Sequence, residues 1–226
     1  MGLDFDSFVL TAAIADLDEE PDAREHADAV EFRMDLADEP LSPLESYDGD
    51  LPILATNRAA WEGGEWDGDD ETRLERLANA ARCDGVEAID VELAACRDGT
   101  ADEVRETARE HDVSVVVSAH DFEGTPDEAA MVDTLEAACE FGDVGKLAVT
   151  AHERGDALSV LSTTHQLTAD GRTVATMAMG ESGSHTRAVA PVYGSRIGYA
   201  PVDPAAATAP GQYDLATLSR LVADLE

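Results

Sequence analysis

DVSVVVSAHDFEGTPDEAAMVDTLEAACEFGDVGKLAVT, residues 112–150, decides the fold. Its two ends, 112–120 and 144–150, are short runs rich in β-branched residues. Its middle, 126–141, carries apolar residues at helical spacing and predicts a helix with Pro126 at the first helical position. Strand, helix and strand in that order imply two parallel strands joined by a right-handed crossover. The pattern extends both ways along the chain. FVLTAAI (8–14), AVEFRMD (29–35), PILATNR (52–58), VEAIDVEL (86–93), TVATMAM (173–179) and SRIGYA (195–200) read as six further strands. DETRLERLANAARC (70–83), with Leu74, Leu77, Ala78 and Ala81 at helical spacing, DEVRETAREH (102–111) and a closing DLATLSRLVADL (214–225) read as helices. Eight such units predict a single-domain (β/α)8 TIM barrel over 1–226. An open doubly wound sheet is the alternative, but it needs a glycine-rich turn after the first strand. The glycine cluster here, MGESGSHTR (179–187), comes late. APVDPAAATAPGQ (200–212) has no periodicity and predicts an ordered lid loop at 200–213 over the barrel mouth.

Charge sets the next limits. In 226 residues there are 15 Lys+Arg against 49 Asp+Glu, a net charge of −34. Nucleic-acid binding through a basic surface is excluded. The 44% hydrophobic content argues against disorder. No apolar run reaches membrane-spanning length, and the start MGLDFDSFVL lacks the basic residues of a secretory signal. Cys83, Cys96 and Cys139 are odd in number and without metal-like spacing, which predicts reduced thiols in a cytoplasmic protein. The acids crowd helices and loops, as in DLDEEPDAREHAD and DGDDETRLER, and spare the strands. An acidic skin over an ordinary core repels itself in dilute salt, whereas at 1 M salt the Debye length falls to about 3 Å. The composition therefore predicts a protein of a salt-loving organism.

Lysine is nearly absent. Fourteen of the 15 basic residues are Arg and one, Lys146, is Lys, where average usage and an even split predict about 14 lysines. The survivor sits in VGKLAVT, an unfavourable place for an ammonium. Strand side chains alternate in direction. In AVEFRMD, Val30, Phe32 and Met34 oppose Glu31, Arg33 and Asp35. In VEAIDVEL, Ile89, Val91 and Leu93 oppose Asp90 and Glu92. In DVSVVVSAH, Val113, Val115 and Val117 oppose Ser114, Ser118 and His120, and in VGKLAVT, Leu147 and Val149 oppose Lys146. In a barrel the apolar faces meet the helices, so the ionisable faces converge inside. There they pair, keep water or hold a charged ligand. A solvated antiparallel face and a purely structural ion network are the bland alternatives.

A lone lysine beside His and Glu on barrel strands is equipment for Schiff-base chemistry. An ordinary lysine titrates near 10.4, and burial or neighbouring arginines favour the free amine. An iminium acidifies the adjacent carbon, and a histidine can carry that proton. No HExxH, CxxC or His pair at i, i+4 supports a metal, and no GxSxG elbow supports a hydrolase. His26, His111 and His165 read as surface residues, His152 as a bystander near the mouth, and Trp61 and Trp66 as packing residues. From Arg172 to Tyr213 the acidic excess stops, and Arg187 and Arg196 there predict a clamp for an anion.

The blocks VEFRMD, TNRAAWEGGE, IDVEL, SAHDFEGTP, VGKLAV, MGESGSHTR, YGSRIGYA and APGQ, over roughly 30–212, resemble those of the type I 3-dehydroquinate dehydratases in order and spacing. SAHDF before GKLAV and then APGQ is the specific combination. The resemblance implies a dimeric (β/α)8 barrel that works without metal or organic cofactor, taking the small-molecule substrate 3-dehydroquinate to 3-dehydroshikimate in the shikimate pathway. It implies that Lys146 forms the Schiff base, that His120 moves the proton, and that Glu62 hydrogen-bonds His120, with Asp90 in support. Glu31, Arg33 and Arg58 would hold the ring hydroxyls, Arg187 the carboxylate, and Thr208 and Gln212 would close from the last loop. Thr208 and Thr186 stand where serine is common, and both retain the hydroxyl. Another class I Schiff-base barrel of aldolase type, or a non-catalytic anion-binding barrel, are the competing readings. The HDF and APGQ blocks favour the dehydratase.

Overall fold

The computed structural model describes residues 3–203 and 211–225. Eight parallel strands make one sheet: β1 (Val9–Ile14), β2 (Ala29–Arg33), β3 (Ile53–Thr56), β4 (Val86–Glu92), β5 (Ser114–Asp121), β6 (Val144–Thr150), β7 (Val174–Met179) and β8 (Ile197–Pro201). Their order is β7-β6-β5-β4-β3-β2-β1-β8. The end strands also meet: the Arg196 N–H donates to the Val174 carbonyl at 2.8 Å, and the Thr176 N–H to Ser195 Oγ at 3.0 Å. The sheet thus closes into the expected (β/α)8 barrel. Around it lie α1 (Glu20–Ala23), α2 (Leu41–Glu45), α3 (Asp70–Ala80), α4 (Leu93–Asp98), α5 (Asp102–Glu110), α6 (Glu128–Phe141), α7 (Arg154–Ala169), α8 (Thr186–Val189) and α9 (Leu215–Ala223).

Part of the acidic composition builds these helices. Asp69 accepts from the Thr72 N–H ahead of α3, Asp127 from Ala130 ahead of α6, and Asp214 from Thr217 ahead of α9. Each satisfies an amide that the first turn leaves unpaired. Asp127 also corrects the sequence reading: it is the cap of α6, so Pro126 lies outside the helix rather than at its first position. Another departure is at β2. The strand ends at Arg33 and Met34–Leu36 turn as a 3-10 helix, so Asp35 leaves the face it would have shared with Glu31. The sequence reading also passes over α7. Its buried side includes Thr163 and Thr164 beside Val160, Leu161 and Leu167, and the hydroxyls dilute the apolar signal.

The strand alternation sorts the core into two layers. Outward, Leu10, Ile14, Val30, Phe32, Ile53, Ile89, Val91, Val115 and Val117 pack with Leu74, Leu77, Val104, Leu215 and Leu218 of the helices. Leu147, Val149 and Val174 do the same against Met131, Leu135, Val160 and Leu167. Inward, Ala29, Leu54, Ala88, Val116, Val144, Ala175 and Ile197 form a separate cluster. The next inward position on five of these strands is acidic, basic or hydroxylic: Glu31, Thr56, Asp90, Ser118 and Lys146, all buried; Tyr199 takes it on β8 and Met177 on β7. The barrel is therefore plugged at its amino end and polar toward its carboxyl end, where barrel loops assemble sites.

Candidate active site

One cavity lies among the carboxyl ends of the strands and gathers Glu31, Arg33, Arg58, Glu62, His120, Lys146, Arg187 and Gln212. Eight of the residues expected from the sequence thus share one space. Asp90 lies beneath it rather than on its wall, and Thr208 falls outside the described residues. The cavity also exposes Thr56, Met177, Met179, Tyr199 and Phe122, which the sequence reading did not single out. Their signal was available: Met177, Met179 and Tyr199 occupy inward positions of β7 and β8 by simple alternation.

Lys146, 4% exposed, leaves the middle of β6. Its Nζ donates to Asp90 Oδ2 at 2.9 Å and stands 4.2 Å from the centre of the Tyr199 ring. Asp90 is shared: Arg58 Nη2 is 2.8 Å from Oδ1, and Ser118 Oγ donates to the same oxygen at 2.6 Å. Burial works against ionisation of Asp90, but the Arg58 and Lys146 charges outweigh it and hold the carboxyl well below its usual range. Arg58 also donates to Ser118 Oγ at 2.6 Å and to Glu92 Oε1 at 3.4 Å.

His120 and Glu62 form the second unit. Glu62 ends a 3-10 turn, Ala60–Glu62, which Gly63 terminates at φ 79°. That conformation favours glycine. The next residue must also be small, because a Cβ on Gly64 would sit 2.1 Å from the Arg58 carbonyl oxygen. This tight turn aims the carboxylate at β5. Glu62 Oε1 accepts the His120 backbone N–H at 2.8 Å and lies 3.1 Å from His120 Nδ1. Burial pushes the Glu62 carboxyl up to about 7, against the pull of Arg58. Burial, with the Arg58 and Lys146 charges, drives His120 well below its ordinary 6.5. The imidazole is held neutral, and an ionised Glu62 can only accept at this contact, so Nδ1 carries the proton and Nε2 the free lone pair. The Phe122 ring lies nearly parallel to it, 8° between planes and 5.9 Å between centres.

The remaining residues divide into restrained and unpartnered. Arg33 is forked onto Asp35, with Nε–Oδ1 2.9 Å and Nη2–Oδ2 2.7 Å, and Asp35 also accepts the Glu65 N–H at 3.1 Å. Glu31 accepts from Thr56 Oγ1 at 3.0 Å. Arg187 of α8 is different. Among the described residues its buried Nε and Nη2 have no hydrogen-bond partner, and Nη1 reaches the sulfur of Met177 at 3.9 Å. Burial lowers its pKa to about 10, which still leaves it charged at neutral pH. A buried cation with unmet donors is suited to an incoming anion.

Two expectations, for Arg196 and Trp61, are revised. Arg196 does not join the anion clamp; it opens β8 at the amino end and lines a separate groove with Phe8 and Leu225. Trp61 does not pack, since it is 54% exposed with Nε1 donating to Asp70 Oδ2 at 3.1 Å; Trp66 is half-buried beneath the Arg76 guanidinium. The Thr186 hydroxyl donates to the Gly183 carbonyl at 2.8 Å and accepts from the Ala178 N–H at 2.9 Å, so it braces α8 against β7. His152 bonds to the Glu123 carbonyl, outside the cavity. A fully buried Arg73 was missed. It donates to Glu92 Oε2 and to the Asn57 carbonyl, each at 2.8 Å. Its only sequence signal is a base adjoining Leu74 and four residues before Leu77 on the apolar side of α3.

Among the described residues no cluster of three or more His, Cys, Asp or Glu could hold a metal ion, and no helix is long and apolar enough to cross a membrane. A family model described as Type I 3-dehydroquinase matches residues 7–225. The chain is 59% identical over 227 residues to a 3-dehydroquinate dehydratase of Haloarcula marismortui, covering 99% of each. It is 57% identical over 228 residues to that of Halobacterium salinarum, covering 99% of this chain and 100% of the relative. Both relatives come from halophilic archaea. The crystal structure of 3-dehydroquinate dehydratase from Geobacillus kaustophilus matches with a TM-score of 0.87 and 26% identity, covering 97% of this chain and 91% of that one.

Proposed function

Because this chain belongs to the type I 3-dehydroquinase family, a family of hydro-lyases, we propose that it dehydrates 3-dehydroquinate to 3-dehydroshikimate through a Schiff base on Lys146. This is a step of the shikimate pathway toward aromatic amino acids. The observation that carries the reading is the shared cavity: the chain's single lysine, an imidazole braced by a carboxylate, and an arginine whose buried donors are unmet among the described residues all line it.

Lys146, once its ammonium proton has passed to water in the cavity, attacks the substrate ketone as the free amine. A C–N bond forms, the carbonyl electrons move onto oxygen, and that oxygen leaves as water to give an iminium. The iminium draws electrons from the adjacent carbon, so His120 Nε2 takes its proton and an enamine forms. The enamine electrons re-form the iminium's conjugate chain as the hydroxyl on the next carbon departs with the proton from His120. Water then adds to the iminium carbon and releases product and amine. Asp90 holds Nζ in place, and Glu62 holds the imidazole in the tautomer that leaves Nε2 free. Arg187 takes the substrate carboxylate, while Glu31, Arg33, Arg58 and Gln212 meet its hydroxyls; the expected lid loop at 200–213 falls outside the described residues over 204–210, Thr208 included.

Borohydride reduction with 3-dehydroquinate in multimolar salt tests this directly. A covalent adduct is expected on the peptide carrying Lys146, with the N-terminus as the sole competing amine, and Lys146→Ala abolishes it. His120→Ala still permits imine but loses about 10²–10⁴-fold in turnover, the usual weight of a general base. Full turnover by Lys146→Met would sink the proposal.

A further inference from the structure

Tyr199 is the inward residue of β8 and 5% exposed, and its phenolic oxygen has no hydrogen-bond partner among the described residues. Buried hydroxyls are rarely left so, because the unmade bond costs stability. Nearby groups do not relieve it. The Thr11 hydroxyl, on the strand position paired with Tyr199, donates instead to the Gly198 carbonyl at 2.8 Å. The Thr56 hydroxyl is engaged with Glu31. The ring cannot turn away freely, since Lys146 Nζ lies 4.2 Å from its centre. Tyr199 also lines the same cavity as Lys146, Glu31 and Arg58. A donor that is built into the wall, unsatisfied when the cavity is empty and beside the attacking nitrogen is arranged for a ligand oxygen.

We propose that Tyr199 is a binding residue of the site, whose hydroxyl donates a hydrogen bond to a substrate oxygen at or next to the carbon that Lys146 attacks. The O–H bond stays intact throughout. Burial and the surrounding Glu31 and Asp90 carboxylates keep the phenol protonated, and so a donor rather than a base. A phenylalanine would preserve the wall and the contact with the Lys146 ammonium but could not discriminate a substrate oxygen from a methylene. The inference rests on the Schiff-base reading of Lys146, and its test separates the two.

Tyr199→Phe is compared with the unaltered chain in steady-state turnover of 3-dehydroquinate, in borohydride trapping, and in thermal melting. Removing the hydroxyl is expected to lower kcat/KM about tenfold, to leave the Lys146 adduct obtainable at saturating substrate, and to leave Tm equal or higher. Loss of activity without loss of stability marks a group that waits for substrate; a structural tyrosine would lower both. Equal kcat and KM in the two proteins, or a parallel fall in Tm, overturns the role of Tyr199 while the dehydratase reading stands. Absence of any adduct in the unaltered chain overturns the Schiff-base reading and this inference with it.

Discussion

Glu62 and His120 divide one task between opposite electrostatic responses to the same burial. Each is pushed toward its neutral form, the carboxyl up to about 7 and the imidazole well below 6.5. For Glu62 the folded state holds its proton more tightly than the unfolded chain. Its contribution to stability is therefore present below its ordinary value of 4.5 and is lost as pH rises toward 7. For His120 the sign is reversed: below 6.5 the unfolded chain binds a proton that the folded state refuses, so stability falls as pH drops. On the proposed mechanism activity should follow Glu62. When its carboxyl is protonated it donates to Nδ1 and moves the imidazole proton to Nε2, which removes the base. The pH profile of kcat/KM should lose activity on the acid side with a midpoint near 7. Glu62→Gln should lower kcat about 10- to 100-fold and abolish that limb. A limb unchanged in the variant would show that another group sets it.

Elements meet at Glu92, at the end of β4. One oxygen accepts the Ala59 N–H at 2.9 Å and faces Arg58 of the segment after β3; the other pairs with Arg73 of α3. A single carboxylate thus ties a strand to the loop that carries Glu62 and to the helix behind it. Glu92→Ala takes one of two acids from each of two buried guanidinium groups, leaving Arg58 to Asp90 and Arg73 to Asp70, so it should cost about 3 kcal/mol in urea denaturation. Loss of the α3 cap through Asp69→Ala should cost only about 1 kcal/mol. Near-equal losses would mean that the Arg58–Glu92–Arg73 chain is no more than a surface-grade contact. The strands and their inward faces were legible because alternation is a local property. Arg73 was not, because a base on a helix is ordinarily solvated and only the distant Glu92 explains its burial.

For the molecule as a whole, charge is partitioned by depth. Among the described residues six acids are buried, Glu20, Glu31, Asp35, Glu62, Asp90 and Glu92, against four bases, Arg58, Arg73, Lys146 and Arg187. The interior is close to balanced, so nearly all of the net −34 belongs to the surface. That skin repels itself and an anionic substrate over long range, and salt screens both effects. Tm should rise from low to multimolar KCl, and kcat/KM for 3-dehydroquinate should rise with it. A flat response in both would show that the acidic surface carries no electrostatic cost.

The amino-acid sequence by itself determined the barrel, the acidic skin and the isolation of Lys146, because periodicity, composition and count need no partner to be read. It also placed Glu31, Asp90, Glu92, Ser118, His120 and Lys146 on inward faces, since a strand side chain can point only one of two ways. Which carboxylate pairs with which cation was decided by the tertiary structure. Barrel closure brings residues 58, 90, 92, 118 and 146 within bonding distance, and Coulomb attraction in a dry interior then selects among them. The donors of Arg187 and the hydroxyl of Tyr199, unmet among the described residues, belong to that level too. A missing partner is a property of the space around a side chain, and that space exists only once the chain has closed on itself.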